Sequence, residues 1–206
     1  MKALIFTGGN FLPPVKFNYE QFDIIICADK GIENAKKAGV VPNFCVGDFD
    51  SLPPEGSEII KYPAEKDVTD TEIAIDVAAE KGATEIIIAG GTGGRADHTF
   101  ANFLLLARCC EKGISVKLFD GQNLCFVTDK SVTIKKDGFK YLSVFALFKP
   151  CENLTLKGTK YLLENYCLEP LSSLCVSNEI LGDEAQIIFK NGKILIILSK
   201  DIGGTL

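Results

Sequence analysis

The chain is poor in most residues that build metal centres, crosslinks and membrane anchors. Its 206 residues include one histidine, His98, and no tryptophan. A single histidine rules out a multi-histidine metal site. The eight cysteines are scattered through apolar segments without Cys-x-x-Cys spacing, a pattern that predicts free, buried thiols in a reducing compartment rather than disulfides or zinc. No stretch approaches the roughly 18 apolar residues a membrane span needs, and the apolar part of Met1 to Gly8 is too short for a secretory signal. A cytoplasmic location with no membrane partner is the expectation. Basic residues are in deficit, 22 against 27 acidic ones for a formal charge of -5, which argues against nucleic acid and anionic membranes and favours small or cationic ligands. Internal repeats and low-complexity segments are absent too. So is the Walker pattern G-x-x-x-x-G-K-[ST], which excludes an ordinary P-loop enzyme.

A hydrophobic content of 47% is enough for a real core in one large or two small domains. Residues 2–7, 23–28, 44–48, 84–90 and 114–119 are short runs of Ile, Val, Leu and Phe, most of them followed by helix-compatible segments. That alternation predicts an α/β domain with a parallel sheet covered on both faces, a three-layer arrangement assigned to residues 1–130. From about residue 130 strand-like runs dominate: 131–134, 141–148, 154–156, 173–176, 185–189 and 194–198. They predict a smaller all-β sandwich over residues 131–206, and Asn191-Gly192 between two apolar runs predicts a hairpin. The boundary falls between about 120 and 138, with Asn123 to Thr128 assignable to either side.

In open α/β sheets ligands bind beyond the carboxyl ends of strands, so the loops there are where chemistry is expected. The first is Gly47-Asp48-Phe49-Asp50-Ser51. Extended backbone puts Asp48 and Asp50 on one face, and two carboxylates that close resist ionising together unless a cation neutralises them. Alone, such a pair reads more readily as a turn than as a metal site. The second group is Lys66-Asp67-Val68-Thr69-Asp70-Thr71-Glu72, where Thr69 and Glu72 form a capping box that starts a helix at Asp70 and lets it run to Lys81-Gly82. Acids at a helix start are ordinary stabilisers, but helix capping requires neither Asp67 nor Lys66. Asp48, Asp50, Asp67 and Asp70 together exceed what caps and turns need and predict a magnesium site.

The third group, Gly90-Gly91-Thr92-Gly93-Gly94-Arg95-Ala96-Asp97-His98, lies between a strand and a helix carrying Phe100, Leu104 and Ala107. Closely spaced glycines let backbone amides approach an anion, the helix start adds a favourable dipole, and Arg95 can fork onto phosphate oxygens. Asp97 reads equally as an N-cap and His98 as an exposed residue. Gly91 to Ala96 also fits the dinucleotide pattern G-x-G-x-x-A, with Asp120 near the position of a ribose-binding acid. An NAD(P)-dependent oxidoreductase is therefore one alternative, although it leaves the four aspartates without a role. A non-catalytic nucleotide-binding module is another.

The segments Pro42 to Ser51, Lys66-Asp67-x-x-Asp70 and Gly90 to His98, in that order, resemble the thiamin pyrophosphokinase family. Lys157-Gly158-Thr159-Lys160-Tyr161 and Ser177-Asn178-Glu179 are similar to that family's second-domain motifs. The resemblance implies an ATP- and magnesium-binding α/β domain, a β-sandwich, and a homodimer with thiamin bound between subunits. It also implies transfer of pyrophosphate from ATP to the hydroxyethyl group of thiamin, with AMP released. On that basis Asp48, Asp50, Asp67 and Asp70 hold magnesium, Lys66 and Arg95 counter growing charge, and Asp97 orients or deprotonates the alcohol, its pKa raised by acidic neighbours. Asn10, Asp29, Gly91, Thr92, Gly93, Gly94 and His98 attend the nucleotide. Ser177 and Asn178 face the thiamin ring, where Tyr161 or a phenylalanine stands in for the tryptophan some relatives carry. Lys30 is a departure, since many relatives have glycine at that position.

Overall fold

The computed structural model describes residues 1–13, 17–48, 56–63, 65 and 67–201. They form two compact units, Met1–Gly121 and Gln122–Leu206. In the first, β1 (Lys2–Phe6), β2 (Ile24–Ala28) and α1 (Gly31–Ala38) are followed by β3 (Phe44–Gly47), β4 (Glu58–Lys61) and α2 (Asp70–Glu80). Then come β5 (Glu85–Ala89), α3 (Ala96–Glu111) and β6 (Ser115–Phe119). Every pairing within this unit is parallel, and the strand order is β6-β5-β1-β2-β3-β4.

The apolar content of each strand sets its place in that order. Ala3 to Phe6 of β1 are inaccessible on both faces, which suits the middle of a covered parallel sheet. β4, with only Ile59 and Ile60 between charged ends, is an exposed edge strand. Its short apolar run hid it from a pattern search. α1 packs on β1 and β2, α2 on β1 to β3, and α3 on β6. α2 starts at Asp70 because the Thr69 hydroxyl accepts the Glu72 N–H at 3.2 Å. The other half of the capping box does not close, since the Glu72 carboxylate pairs with Arg108 of α3.

The chain moves outward from β1 through β2 and β3 to β4, and then returns to the other side of β1 as β5. That reversal leaves a crevice beyond the carboxyl ends of β1 and β5, where an open α/β sheet takes its ligand.

The second unit contains β7 (Asn123–Thr128), β8 (Val132–Lys135), β9 (Tyr141–Ala146), β10 (Cys151–Lys157), β11 (Leu163–Leu168), β12 (Asn178–Glu179), β13 (Glu184–Ile188) and β14 (Ile194–Ser199). β12-β9-β14-β7 pair antiparallel, as do β11-β10-β13-β8, which makes an all-β sandwich. Period-2 burial in β10 and β13 gives each a single apolar face, Leu154 and Leu156 on one and Ala185 and Ile187 on the other. Asn123–Thr128, open on sequence grounds, pairs with β14.

Two expectations fail in this unit, and one strand was not foreseen. Asn191-Gly192 does not close a hairpin, because β13 pairs with β8 and β10 while β14 pairs with β7 and β9. Glu152 captures the turn instead: its N–H donates to the Asn191 carbonyl at 3.0 Å and its carboxylate accepts from Asn191 Nδ2 at 2.9 Å. The chain thereby passes from one sheet to the other. Residues 173–176 are turn rather than strand, and the polar, largely exposed β11 had no apolar run to announce it.

Candidate active site

A cleft of about 410 Å3 opens at the reversal point, lined by Thr7 to Gly9 after β1 and by much of the loop from Gly90 to Arg95 after β5. The two loops interlock. A Cβ added to Gly9 would stand 2.0 Å from the Gly90 carbonyl oxygen and 2.8 Å from that of Thr92, so only glycine permits this approach. Gly90 itself has φ +79°.

Buried side chains tie the loops down from behind. The Thr7 hydroxyl donates its one proton to the carbonyl of Gly90 at 2.6 Å, with the Ala89 carbonyl, 3.2 Å away, as the weaker branch. Asn34 of α1 donates through Nδ2 to the carbonyls of Thr7 at 2.7 Å and Gly9 at 2.8 Å. Asn102 of α3 donates to the Gly91 carbonyl at 2.7 Å. Sequence reasoning missed all three. Their signal was a polar residue on an otherwise apolar helix or strand face, as at Asn34 between Ile32 and Ala35.

Three helix starts meet the cleft. Lys30 precedes α1, Thr69 to Thr71 open α2, and Arg95 precedes α3, all of them lining residues. Each start brings the positive end of a helix dipole, so the cavity suits an extended anion. Its side-chain charges are mixed, Lys30 and Arg95 against Asp29 and Asp70. Asp29 sits at φ 46°, an uncommon conformation outside glycine, and is not the cap of α1, whose N-cap Lys30 makes no side-chain cap bond. Among the described residues Lys30 has no ion-pair partner.

Arg95 grips Asp97 through both Nε, at 3.1 Å, and a terminal guanidinium nitrogen. The guanidinium holds the Asp97 carboxyl below the usual carboxylate range, and the Asp97 carboxylate holds Arg95 above its own usual value. The expectation of an Asp97 raised by acidic neighbours is therefore reversed, because its nearest charge is a cation. Asp97 is not an N-cap either: α3 starts at Ala96, behind Arg95.

Of the residues predicted from sequence, Asp29, Asp70, Gly91, Gly93, Gly94, Arg95 and His98 line the cleft. Asn10 lies against Gly93, whose added Cβ would be 2.9 Å from Asn10 Nδ2. Asp48, Asp67, Thr92 and Asp97 are not lining residues, and Asp50 and Lys66 lie outside the described residues. Among the described residues no three Asp, Glu, His or Cys side chains cluster closely enough to hold a metal ion. Asp48 follows β3 and Asp70 opens α2, so both carboxylates belong to the carboxyl edge of the sheet. Thr92 is buried, with its hydroxyl on the Asp120 carboxylate. This removes the acid that a dinucleotide reading requires on a ribose. The sequence had not marked Thr7, Thr71 or Asn102 as lining residues.

In the second unit Tyr161, Ser177 and Asn178 come together. Asn178 is buried, accepts the Tyr161 N–H at 2.9 Å and donates to the Tyr161 carbonyl at 2.8 Å. Ser177 takes φ 57°, with its N–H on the Ser143 hydroxyl at 3.0 Å. Asn178 thus shapes the loop, and the Tyr161 ring stands 62% exposed with the Lys160 ammonium 5.6 Å from its centroid. All eight cysteines are free thiols, six of them buried, and Cys167 is exposed. Among the described residues no helix is long and apolar enough to cross a membrane.

Residues 18–118 match the family model of the thiamin pyrophosphokinase catalytic domain, and residues 131–194 that of the thiamin pyrophosphokinase vitamin B1 binding domain. The chain is 35% identical to thiamine pyrophosphokinase of Bacillus subtilis strain 168, covering 98% of this chain and 100% of that protein. The crystal structure of a thiamine pyrophosphokinase from Bacillus subtilis superposes with a TM-score of 0.85 at 32% identity over 98% of this chain and 100% of that one. That of a thiamin pyrophosphokinase from Geobacillus thermodenitrificans gives 0.85 at 33% over 98% and 99%. With both domains matched in order and the cleft built by the first of them, the chain belongs to the thiamin pyrophosphokinase family.

Proposed function

We propose that the chain transfers the terminal pyrophosphoryl group of ATP to the hydroxyethyl oxygen of thiamin, giving thiamin diphosphate and AMP. The observation that carries this reading is the cleft of three helix starts and two glycine loops, a polyphosphate cradle that, apart from Thr7 to Gly9, falls inside the segment matched as a thiamin pyrophosphokinase catalytic domain. The thiamin alcohol attacks the β-phosphorus in line and AMP leaves opposite. Catalysis of this kind rests on positioning and charge neutralisation rather than covalent help.

The glycine loop holds phosphate oxygens through its amides, and Asn10, Asp29 and His98 attend the nucleoside. Lys30 joins Lys66 and Arg95 in countering negative charge, and it is the cleft's cation without a described partner. Asp97, kept ionised and aimed by Arg95, orients the attacking alcohol and can accept its proton. Asp48, Asp50, Asp67 and Asp70 supply hard oxygen donors for magnesium. Magnesium ordinarily takes one or two carboxylates and completes its shell with phosphate oxygens and water, so Asp48 and Asp70 at the carboxyl edge of the sheet would suffice to hold it. When bound it neutralises phosphate charge as the leaving group departs. Tyr161, exposed on the second unit, offers its ring to the thiamin heterocycles, with Ser177 and Asn178 beside it. A homodimer and a cytoplasmic setting complete the proposal.

The test mixes the protein with ATP, magnesium and thiamin. AMP and thiamin diphosphate should appear in equal amounts, and neither without thiamin. AMP or ADP released at the same rate when thiamin is omitted would sink the assignment.

A further inference from the structure

Four carbonyls of the two interlocked loops, those of Thr7, Gly9, Gly90 and Gly91, each accept a hydrogen bond from a buried side chain. Only three side chains supply all four bonds, and each is at least nine-tenths buried: Thr7, Asn34 and Asn102, at 6% exposure apiece. Packing does not ask for them. The buried neighbours of Asn34 on α1 are Ile32 and Ala35, and those of Asn102 on α3 are Leu105 and Leu106, so an apolar residue would fill either place without the cost of burying an amide. What the polar groups add is a donor aimed at a carbonyl. A peptide unit near a ligand can offer its N–H or its C=O, and a carbonyl oxygen facing a phosphate chain repels it.

We propose that Thr7, Asn34 and Asn102 are positioning residues: by capping these carbonyls from behind, they turn the loop's peptide units so that amide N–H groups, and not carbonyl lone pairs, face a polyphosphate in the cleft. This rests on the reading of the cleft as a polyphosphate site and adds which residues make it one. Three different elements contribute, β1's exit, α1 and α3, so the cradle is set by the packed fold and not by the glycines alone. Freed from their caps, the same glycines would reorient at little cost and lose their anion preference.

The experiment uses Thr7→Val, which keeps the shape and removes the donor, Thr7→Ser, which keeps the donor, and Asn102→Asp. Binding of inorganic tripolyphosphate and of adenosine to the full chain is measured by calorimetry, alongside the KM values for ATP and thiamin. Loss of a cap should weaken tripolyphosphate and raise the KM for ATP by roughly ten- to a hundredfold. Adenosine affinity and the KM for thiamin should stay at wild-type values, and Thr7→Ser should restore phosphate affinity. Asn102→Asp should show the same loss at pH 8 and, relative to wild type measured at the same pH, recover toward pH 5, as its carboxyl takes a proton and donates again; the ratio to wild type cancels the protons that tripolyphosphate itself takes up. A Thr7→Val protein that melts like wild type and binds tripolyphosphate equally well overturns the inference, whether or not Asn102→Asp folds. Failure here with thiamin-dependent AMP release intact leaves the proposed reaction standing. Phosphate affinity that depends on Thr7 in a protein without thiamin-dependent turnover leaves the capping and removes the reaction.

Discussion

Replacing Gly9 by alanine is the sharpest probe of the interlocked loops. A Cβ there would lie 2.0 Å from the Gly90 carbonyl oxygen, where real contacts essentially never fall below 3.0 Å. Both partners are backbone, so no side-chain rotamer can relieve the overlap, and the β1 and β5 loops must separate by about 1 Å. A displacement of that size at a phosphoryl-transfer site costs on the order of a hundredfold, close to ~2.7 kcal/mol of transition-state stabilisation. The assay is steady-state AMP release with saturating thiamin, and kcat/KM for ATP should fall by about that factor. Gly39→Ala is the matched control. It forces alanine into a left-handed helix C-cap, φ +69°, with open space around it. It should cost about 1 to 2 kcal/mol of stability and leave kcat/KM unchanged. Wild-type kcat/KM in Gly9→Ala would refute the close approach of the loops and the site built on it.

Three further outcomes follow from the same geometry. Thr69→Ala removes the α2 cap and should lower stability by about 1 kcal/mol, with a thermal midpoint some 2 to 4 °C lower, while Thr69→Ser should recover most of it. Arg108 bridges α3 to both Glu72 and Asp76 on α2, but the three side chains are 19 to 46% exposed and the buried Nε has no hydrogen-bond partner among the described residues. Arg108→Met should therefore cost only about 1 kcal/mol in low salt, and less in 1 M salt, where solvent screening already takes most of the pair's worth. For Asp97, a folded pKa held down by Arg95 means the pair's stabilisation is present above the ordinary carboxylate pKa and is lost as pH falls through the depressed value. Carboxyl-carbon NMR should place the Asp97 midpoint below ~3.9 in wild type and higher in Arg95→Gln, and an unchanged midpoint would remove the fork from the account.

The parallel domain was legible because its strands are buried on both faces and so read as unbroken apolar runs. β1, β2, β3 and β5 all did, whereas β6 alternates, with Ser115 and Lys117 exposed around the buried Val116 and Leu118. β4 and β11 were invisible for the converse reason, being exposed strands whose pairing comes from neighbours rather than from their own hydrophobicity. Asn191-Gly192 misled because turn chemistry fixes the local bend and says nothing about which strands pair. A contact 39 residues away, from Glu152, decided that.

The site divides along the same physical line. Glycines and helix starts announce themselves locally, so the Gly90 to Arg95 cradle and the α2 start at Asp70 could be read from spacing alone. Which atoms those residues present could not, because it depends on partners distant in the chain. Arg95 is the local exception: it looked like a free phosphate clamp and is forked onto Asp97, an exposed partner two residues on. Asp120 looked like a ribose ligand and takes the Thr92 hydroxyl, 28 residues back. The Thr7 hydroxyl reaches Gly90 across 83 residues, and Asn34 reaches Gly9 across 25. Each of these long-range bonds uses a polar group that composition alone would place in solvent. A buried amide or hydroxyl on an apolar face is therefore a more informative sequence signal than another glycine in an already flexible loop. An unpartnered buried donor costs about 1 to 3 kcal/mol, so a residue kept in such a place must have an acceptor to meet, and here the acceptors are the carbonyls that ring the cleft.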